Sequence, residues 1–427
     1  MKVSLSHAPG AAAHLTYCTN IHPGESWSAV FENLQTYTAQ LKQRLCQDRP
    51  FGIGLRLSNA ASLDLMADGQ LGMFKAWLRQ QGLYVFTLNG FPYGGFHAQV
   101  VKDKVYAPDW TQPARLDYTL RLTEILAALL PDGVAGGIST LPLSYKPWHM
   151  AEGNQSKGEL FAQVYEESVQ QIVQVAAKMA LLAQTRRNLH LDIEPEPDGL
   201  IENAAEMIAF FEEWLIPVGS RLLKAQGFSS PESILRQHVQ VCYDTCHFAV
   251  EYEDPATVVS QFQQANIQIG KLQLSSAIKA PLPGLGRVEQ RASLRSHLTP
   301  FAESTYLHQV IERHRDGHLQ RYRDLSAALP FLEKTVAQEW RTHFHVPIFL
   351  DAYQTFSSTQ DHIVEMLTLL PETGCCHLEI ETYTWDVLPA ELALDVVSAI
   401  EREYAWVLKN LGSPRPDTQP AVASLPV

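Results

Sequence analysis

The chain has 427 residues, 46% hydrophobic and 19% charged, which excludes a disordered polymer and fits one elaborated α/β barrel or two ordinary domains. A formal net charge of −13, with no cluster of five or six Lys/Arg, argues against nucleic acid as a partner, because such binding rests on cations meeting phosphates. The N-terminus lacks an apolar signal core and no run of about 18 apolar residues occurs, so no membrane insertion and a cytoplasmic location are expected, with the six cysteines reduced.

In chain order, strand-length apolar runs alternate with longer segments of helical period, the pattern of repeated β-α units around a parallel sheet. The strands are expected at 15–20, 52–57, 84–89, 136–141, 189–194, 239–244 and 270–275, then at 343–349 and 377–382. Nine candidates are one too many for an eight-stranded barrel. Amphipathic helices are expected at Trp27–Leu45, Ser62–Gln81, Ala114–Leu130, Lys157–Ala183, Ala204–Ala225, Pro255–Ala265, Leu325–Trp340, Gln360–Leu370 and Ala390–Leu408. Ser26 and Asp254 are their clearest caps, the second followed by proline at the first helical position. Residues 280–340 break the rhythm and read as an insertion after strand seven, containing a hairpin that turns at Asp316-Gly317. One barrel domain over 1–411 and a disordered Pro/Ser/Ala-rich tail at 412–427 complete the expected organisation.

Barrel enzymes place their chemistry at the C-terminal ends of strands, and four of the last five candidates carry ligand-type residues. L-H-L-D-I-E ends in Glu194, V-Q-V-C-Y-D-T-C-H holds Asp244 and His247, H-F-H-V holds His343 and His345, and H-L-E-I-E holds Glu379 and Glu381. A hard or first-row divalent ion favours carboxylates with one or two imidazoles, which Glu194, Asp244, a histidine and Glu381 would supply. The competing reading, a zinc site on Cys242, Cys246 and His247, lacks a suitably spaced second Cys or His pair, since Cys375 and Cys376 are adjacent and precede their strand. Each acidic strand end alone also fits a salt bridge or loop cap, and His343 fits a hairpin contact as well as a pocket role.

The order of strand-end Glu, Asp-x-x-His and Glu resembles the xylose isomerase-like barrels. The runs H-L-T-Y-C-T-N-I-H-P-G-E-S-W (14–27), T-L-N-G-F-P-Y-G-G-F-H (87–97), K-V-Y-A-P-D-W (104–110), G-G-I-S-T-L-P-L-S-Y-K (136–146) and L-E-I-E-T-Y-T-W (378–385) resemble more particularly the metabolite-traffic protein EboE family, over about residues 14–410. This resemblance implies a (β/α)8 TIM barrel with a divalent ion (Mn2+, Mg2+, Co2+ or Zn2+) at its C-terminal mouth. Glu194, Asp244 and Glu381 then match the family's ligands, with His247 as the companion of Asp244. Strand seven usually brings a histidine, where this chain has Gln273. Either Gln273 replaces that ligand or His345 supplies it from the extra strand.

The implied activity is isomerisation or epimerisation of a sugar, sugar phosphate or cyclitol, with Glu194 and Glu381 moving a proton α to a metal-polarised carbonyl. His247, His22, Asn89, Tyr93, His97, Glu379 and His343 are candidates for contacting a polyol, and Arg56 and Lys102 for a phosphate. Partners implied are a small sugar-like substrate and other proteins of the same secondary-metabolite pathway. The alternative is a barrel that keeps its pocket but only binds or carries a metabolite, which Gln273 favours.

Overall fold

Eight chain segments rich in β-branched and aromatic residues form parallel strands: Ala12–Tyr17, Phe51–Arg56, Leu83–Asn89, Gly136–Thr140, Leu189–Ile193, Val239–Asp244, Ile269–Leu274 and His377–Ile380, called strands one to eight below. The structure is a computed structural model describing residues 1–5, 10–97, 100–150, 157–389 and 395–412, without the side chains of 157–159 and 386. Strand eight pairs with strands seven and one, and the ladder continues in sequence order to strand two. A parallel bridge between Cys18 and Gly54 joins strand one to strand two, so the sheet closes on itself. A short strand, Lys2–Ser4, adds antiparallel to strand one below the barrel.

Helices cover the outside, and their sequences explain their limits. Ser26 accepts from Ala29 N at 3.3 Å and Asp254 from Thr257 N at 2.9 Å, each closing an orphan donor of a first turn. The helices Trp27–Leu45 and Ala204–Ala225 each run through a π-helical turn, at Leu34–Thr38 and Phe210–Leu215. The segment Ser62–Gln81 is two helices, Asn59–Met66 and Gln70–Gln81, because Asp68 and Gly69 both take positive φ between them. Expectations for the tail beyond residue 412 and for the start of the last helix at 390–394 fall outside the described residues.

The largest departure lies after strand seven, where Ser276–Pro281 runs on into a separate antiparallel sheet. Its order is Leu319–Tyr322, Val310–Arg313, Glu339–Val346, Ser276–Pro281, Phe356–Ser358, Ala352–Tyr353. The ninth strand candidate is therefore the centre of a second sheet and not a barrel stave. The helix expected at Leu325–Trp340 is a single turn at Leu325–Ala328 followed by a 3-10 turn, and Trp340 belongs to the strand. The reason is tertiary: Trp340 is fully buried and its indole donates to Glu312 Oε2 at 2.8 Å, a cross-strand contact that local periodicity cannot register.

The barrel interior is polar, which shapes the floor of the site. Lys271 pairs with Glu379, both without exposed surface, and Asp192 accepts from His190 Nδ1 at 2.6 Å. Gly54 leaves room for the Glu379 carboxylate, and Gly137 and Gly270 for that of Asp192: a Cβ on Gly137 would lie 2.5 Å from Asp192 Oδ2. Burial alone would lower the pKa of Lys271, but Glu379 and the buried thiols of Cys242 and Cys18 outweigh it and raise it.

Candidate functional site

Three strands aim a carboxylate at one point above this floor. Glu194 and Glu381 each follow the last residue of their strand, yet their amides still donate to the neighbouring strand, Glu194 N to Thr140 O and Glu381 N to Leu274 O, both at 3.0 Å. Asp244 ends strand six and caps the short helix Thr245–Val250: its Oδ1 accepts from Cys246 N at 2.7 Å, from His247 N at 3.1 Å and from the Ser275 hydroxyl. That leaves Asp244 Oδ2 buried without a hydrogen-bond partner, as is Glu194 Oε2. Ligand atoms of Glu194, Asp244 and Glu381 all lie within 4.8 Å of one another.

The imidazoles come from two sources and share one tautomer. His247 Nδ1 is 3.0 Å from Pro195 O, His343 Nδ1 is 2.8 Å from Gln309 Oε1, and His345 Nδ1 is 2.9 Å from Glu381 O. Gln309 donates through Nε2 to Pro197 O at 3.0 Å, which fixes its oxygen towards His343. A carbonyl oxygen only accepts, so each Nδ1 carries the proton and each Nε2 presents a lone pair, the arrangement that prepares a histidine to bind a metal. His345 Nε2 lies 4.0 Å from Asp244 Oδ2, and its Nδ1 lies 3.9 Å from Glu381 Oε2. His247 Nε2 and His343 Nε2 face each other at 3.1 Å, two lone pairs that call for an electropositive neighbour.

Two ligand sets result, Glu194/Asp244/Glu381 and Glu196/His247/His343, joined by a third made of Asp244, His247 and His345. Their donor types suit a divalent first-row ion. Cys246 Sγ lies within the same reach of His343 and His345, closer to the site than its place in the sequence suggests.

Burial dominates the electrostatics of these groups. Burial, then the nearby Glu381 and Asp244, pushes the Glu194 carboxyl well above the usual carboxylate range. Burial raises Glu381 too, offset by His345 and by the Gln273 amide. Glu196 is pushed up to about 8, mainly by burial, and burial lowers His247 to about 4, keeping its imidazole neutral.

A pocket opens above the carboxylates, lined among others by Asn20, Asn89, Glu194, Glu196, His247, His343, His345 and Glu381. Asn20 and Asn89 both donate to Glu381 Oε1, at 2.7 and 3.0 Å, orienting that carboxylate. The structure thus brings together Glu194, Asp244, Glu381, His247, His343, His345 and Asn89. Gln273 is buried between Asp244 and Glu379 in register, with its Oε1 accepting from Cys242 Sγ at 3.8 Å.

Other candidates stand apart from this group. Glu379 is held beneath it by Lys271, and Arg56 makes a two-pronged pair with Glu25 at 3.0 and 3.2 Å. Lys102 lines the pocket, but its ammonium is 2.7 Å from Asp324 Oδ2. His22 bonds the Tyr17 hydroxyl at 3.0 Å and stacks on Tyr37, and Tyr93 packs on Tyr118; neither lines the pocket. His97 lies beside Phe96. Asn20, Glu196, Gln309 and Tyr306 were not singled out from the sequence. Glu196 had a weak signal, as the next alternate residue after Glu194 in I-E-P-E-P, whereas the others sit on loops whose paths the sequence does not reveal.

No protein-family profile matches the chain, and no curated protein matches its sequence. Among solved structures, the chain is similar to an IolI protein with a bound zinc atom, at 11% identity over 93% of this chain and 98% of that one, with a TM-score of 0.44. A xylose isomerase domain-containing protein from Salmonella typhimurium gives 12% identity, coverage of 96% and 99%, and a TM-score of 0.41. A xylose isomerase domain protein from Alicyclobacillus acidocaldarius gives 11%, 93% and 98%, and 0.41. The barrel itself is read from the chain's own strand order and closure.

Proposed function

We propose that the barrel mouth holds a divalent ion on Glu194, Asp244, Glu381 and His345, and that the protein transfers a proton at the carbon next to the carbonyl of a polyol-like substrate. The observation that carries this reading is the convergence of three buried carboxylates whose ligand atoms lie within 4.8 Å, two of them with an unpartnered oxygen. Burying such atoms unpaired costs several kcal/mol each, so the arrangement is explained by a bound cation. A bound ion would polarise the substrate carbonyl and so acidify the adjacent C–H.

The chain's own groups divide the remaining work. Glu381 is oriented by Asn20 and Asn89 through Oε1, which leaves Oε2 to face the site. Glu194 accepts the proton on whichever carboxylate oxygen the ion leaves free, and Glu381, entering in its protonated form, delivers a proton to the same carbon for epimerisation or to its neighbour for isomerisation. His345 replaces the imidazole absent at Gln273, so the departure on strand seven is made good by the second sheet. The EboE-like motifs add a setting, the making or moving of a secondary metabolite together with other proteins of that pathway.

The test is exchange of a substrate C–H for deuterium. Protein supplied with Mn2+ or Co2+ in D2O with D-fructose should wash deuterium into the position next to the carbonyl, and Glu194→Gln should abolish this without losing the fold. Metal-loaded protein that exchanges no proton from fructose or any other ketose or aldose offered would leave a binding barrel as the better description.

A further inference from the structure

Part of the pocket lining is aromatic. Phe96 from the loop after strand three, Tyr306 from the insertion and Tyr383 from the loop after strand eight meet pairwise, with ring centroids 5.3, 5.3 and 5.0 Å apart. Val101 and Val105 join them in a small apolar cluster separate from the barrel core. Tyr306 donates its hydroxyl to Phe96 O at 3.1 Å, and Tyr383 lies 4.6 Å from the His345 ring, so this wall reaches down to the ligand set.

Cations near the mouth are engaged elsewhere. Among the described residues that line the pocket Lys102 is the one cation, and it binds Asp324 Oδ2 at 2.7 Å and Glu303 O at 3.3 Å. Arg56 grips Glu25, whose Oε1 also accepts from Phe96 N at 3.2 Å, so the guanidinium braces the aromatic wall and does not face a ligand. Lys271 is held by Glu379 under the floor. The pocket itself presents Glu194, Glu196 and Glu381, with Asp244 beside them. A divalent ion offsets two negative charges and leaves the mouth without a surplus of positive charge for an anion.

From these two features we infer the substrate class: an uncharged polyol that carries a flat apolar group, its hydroxyl and carbonyl end at the carboxylates and its apolar group against Phe96, Tyr306 and Tyr383. This rests on the reading that a polyol binds over a metal at the barrel mouth. A phosphorylated sugar is disfavoured, since a dianion would meet carboxylates while Lys102, Arg56 and Lys271 are already engaged by acidic partners.

Three matched probes test it by calorimetric titration of Mn2+-loaded protein: D-fructose, 6-O-benzyl-D-fructose and D-fructose 6-phosphate, with the metal content of the same sample measured. The benzyl ether should bind about tenfold more tightly than fructose, a gain that ring stacking and apolar burial supply, and the phosphate more weakly than fructose. Phe96→Ala should bring the benzyl ether down to the affinity of fructose, while Lys102→Ala should leave the ranking unchanged. Should Phe96→Ala not fold, the wild-type ranking decides alone. In protein that holds its metal, a phosphate that binds more tightly than fructose or a benzyl ether that gains nothing would overturn the substrate class alone, whereas no binding of any probe at millimolar concentration would overturn the polyol reading with it. Protein that takes up no metal would remove the underlying reading and this inference with it.

Discussion

Replacing Lys271 with methionine should expose how much the site depends on its floor. Lys271 and Glu379 are both fully buried and pair directly, and the ammonium also donates to the Ser139 hydroxyl at 3.3 Å. Lys271→Met keeps most of the side-chain volume and leaves the Glu379 carboxylate buried without its cation. Breaking a buried pair from one side costs about 3–5 kcal/mol, because the desolvated partner charge stays uncompensated. With an unfolding entropy of about 2.1 cal/mol/K per residue, a chain of 427 residues has a total near 0.9 kcal/mol/K, so a loss of about 4 kcal/mol lowers Tm by roughly 4–5 °C. The double variant Lys271→Met/Glu379→Met removes both charges and should recover most of that loss. Differential scanning calorimetry and urea titration of the three proteins make the comparison. A double variant no more stable than the single one would refute the reasoning, since the deficit would then come from packing and not from a stranded charge. Metal affinity of the double variant should stay near wild type, because Glu379 stands below the ligand set.

Further outcomes follow from individual contacts. Gly54→Ala would put a Cβ onto the Glu379 carboxylate and 2.8 Å from Tyr17 O, and should destabilise the protein by about 1–3 kcal/mol in urea titration, whereas Gly72→Ala, in open space, should not. Glu403 is fully buried and accepts from Thr382 Oγ1 at 2.6 Å, with its pKa raised by burial from 4.5 to about 7. The folded state therefore favours the protonated carboxyl: its contribution is intact below pH 4.5 and is lost as pH rises towards 7, by up to about 3 kcal/mol. Glu403→Gln should accordingly gain stability over wild type between those pH values and match it in acid; a variant equally less stable at every pH would contradict this. His345→Ala should weaken Mn2+ or Co2+ binding about 10- to 100-fold, and Gln273→His in that background should restore part of it, as read by competition with a chelating dye.

The parts of this molecule that announce themselves in sequence are those set by local pattern. Runs such as V-Q-V-C-Y-D and G-K-L-Q-L are strands because their apolar, β-branched residues meet neighbours on a buried pleat, and strand-end carboxylates follow from that placement. The strand-end place of Asp244 was legible for the same reason, and its capping of the next helix through Oδ1 is consistent with Oδ2 being without a hydrogen-bond partner. What was not legible depends on chain paths. His345 reaching the site from the extra H-F-H-V strand was one of two alternatives in the sequence, but nothing local tells that this strand belongs to a second sheet and sets His345 beside Glu381, or that Trp340 is a strand residue held by Glu312. Arg56 and Lys102 looked available because their partners, Glu25 and Asp324, lie 31 and 222 residues away.

The central claim is a cation site on the converged carboxylates, and metal stoichiometry tests it most directly. Purified protein dialysed against micromolar Mn2+, Co2+ or Zn2+ and analysed by mass spectrometry of the elements should retain at least one equivalent per chain. Asp244→Asn, which keeps the cap oxygen but removes the charge at the unpartnered one, should lose it while remaining folded by circular dichroism. Wild-type protein that holds no metal under these conditions, or an Asp244→Asn variant that holds as much as wild type, would contradict the account.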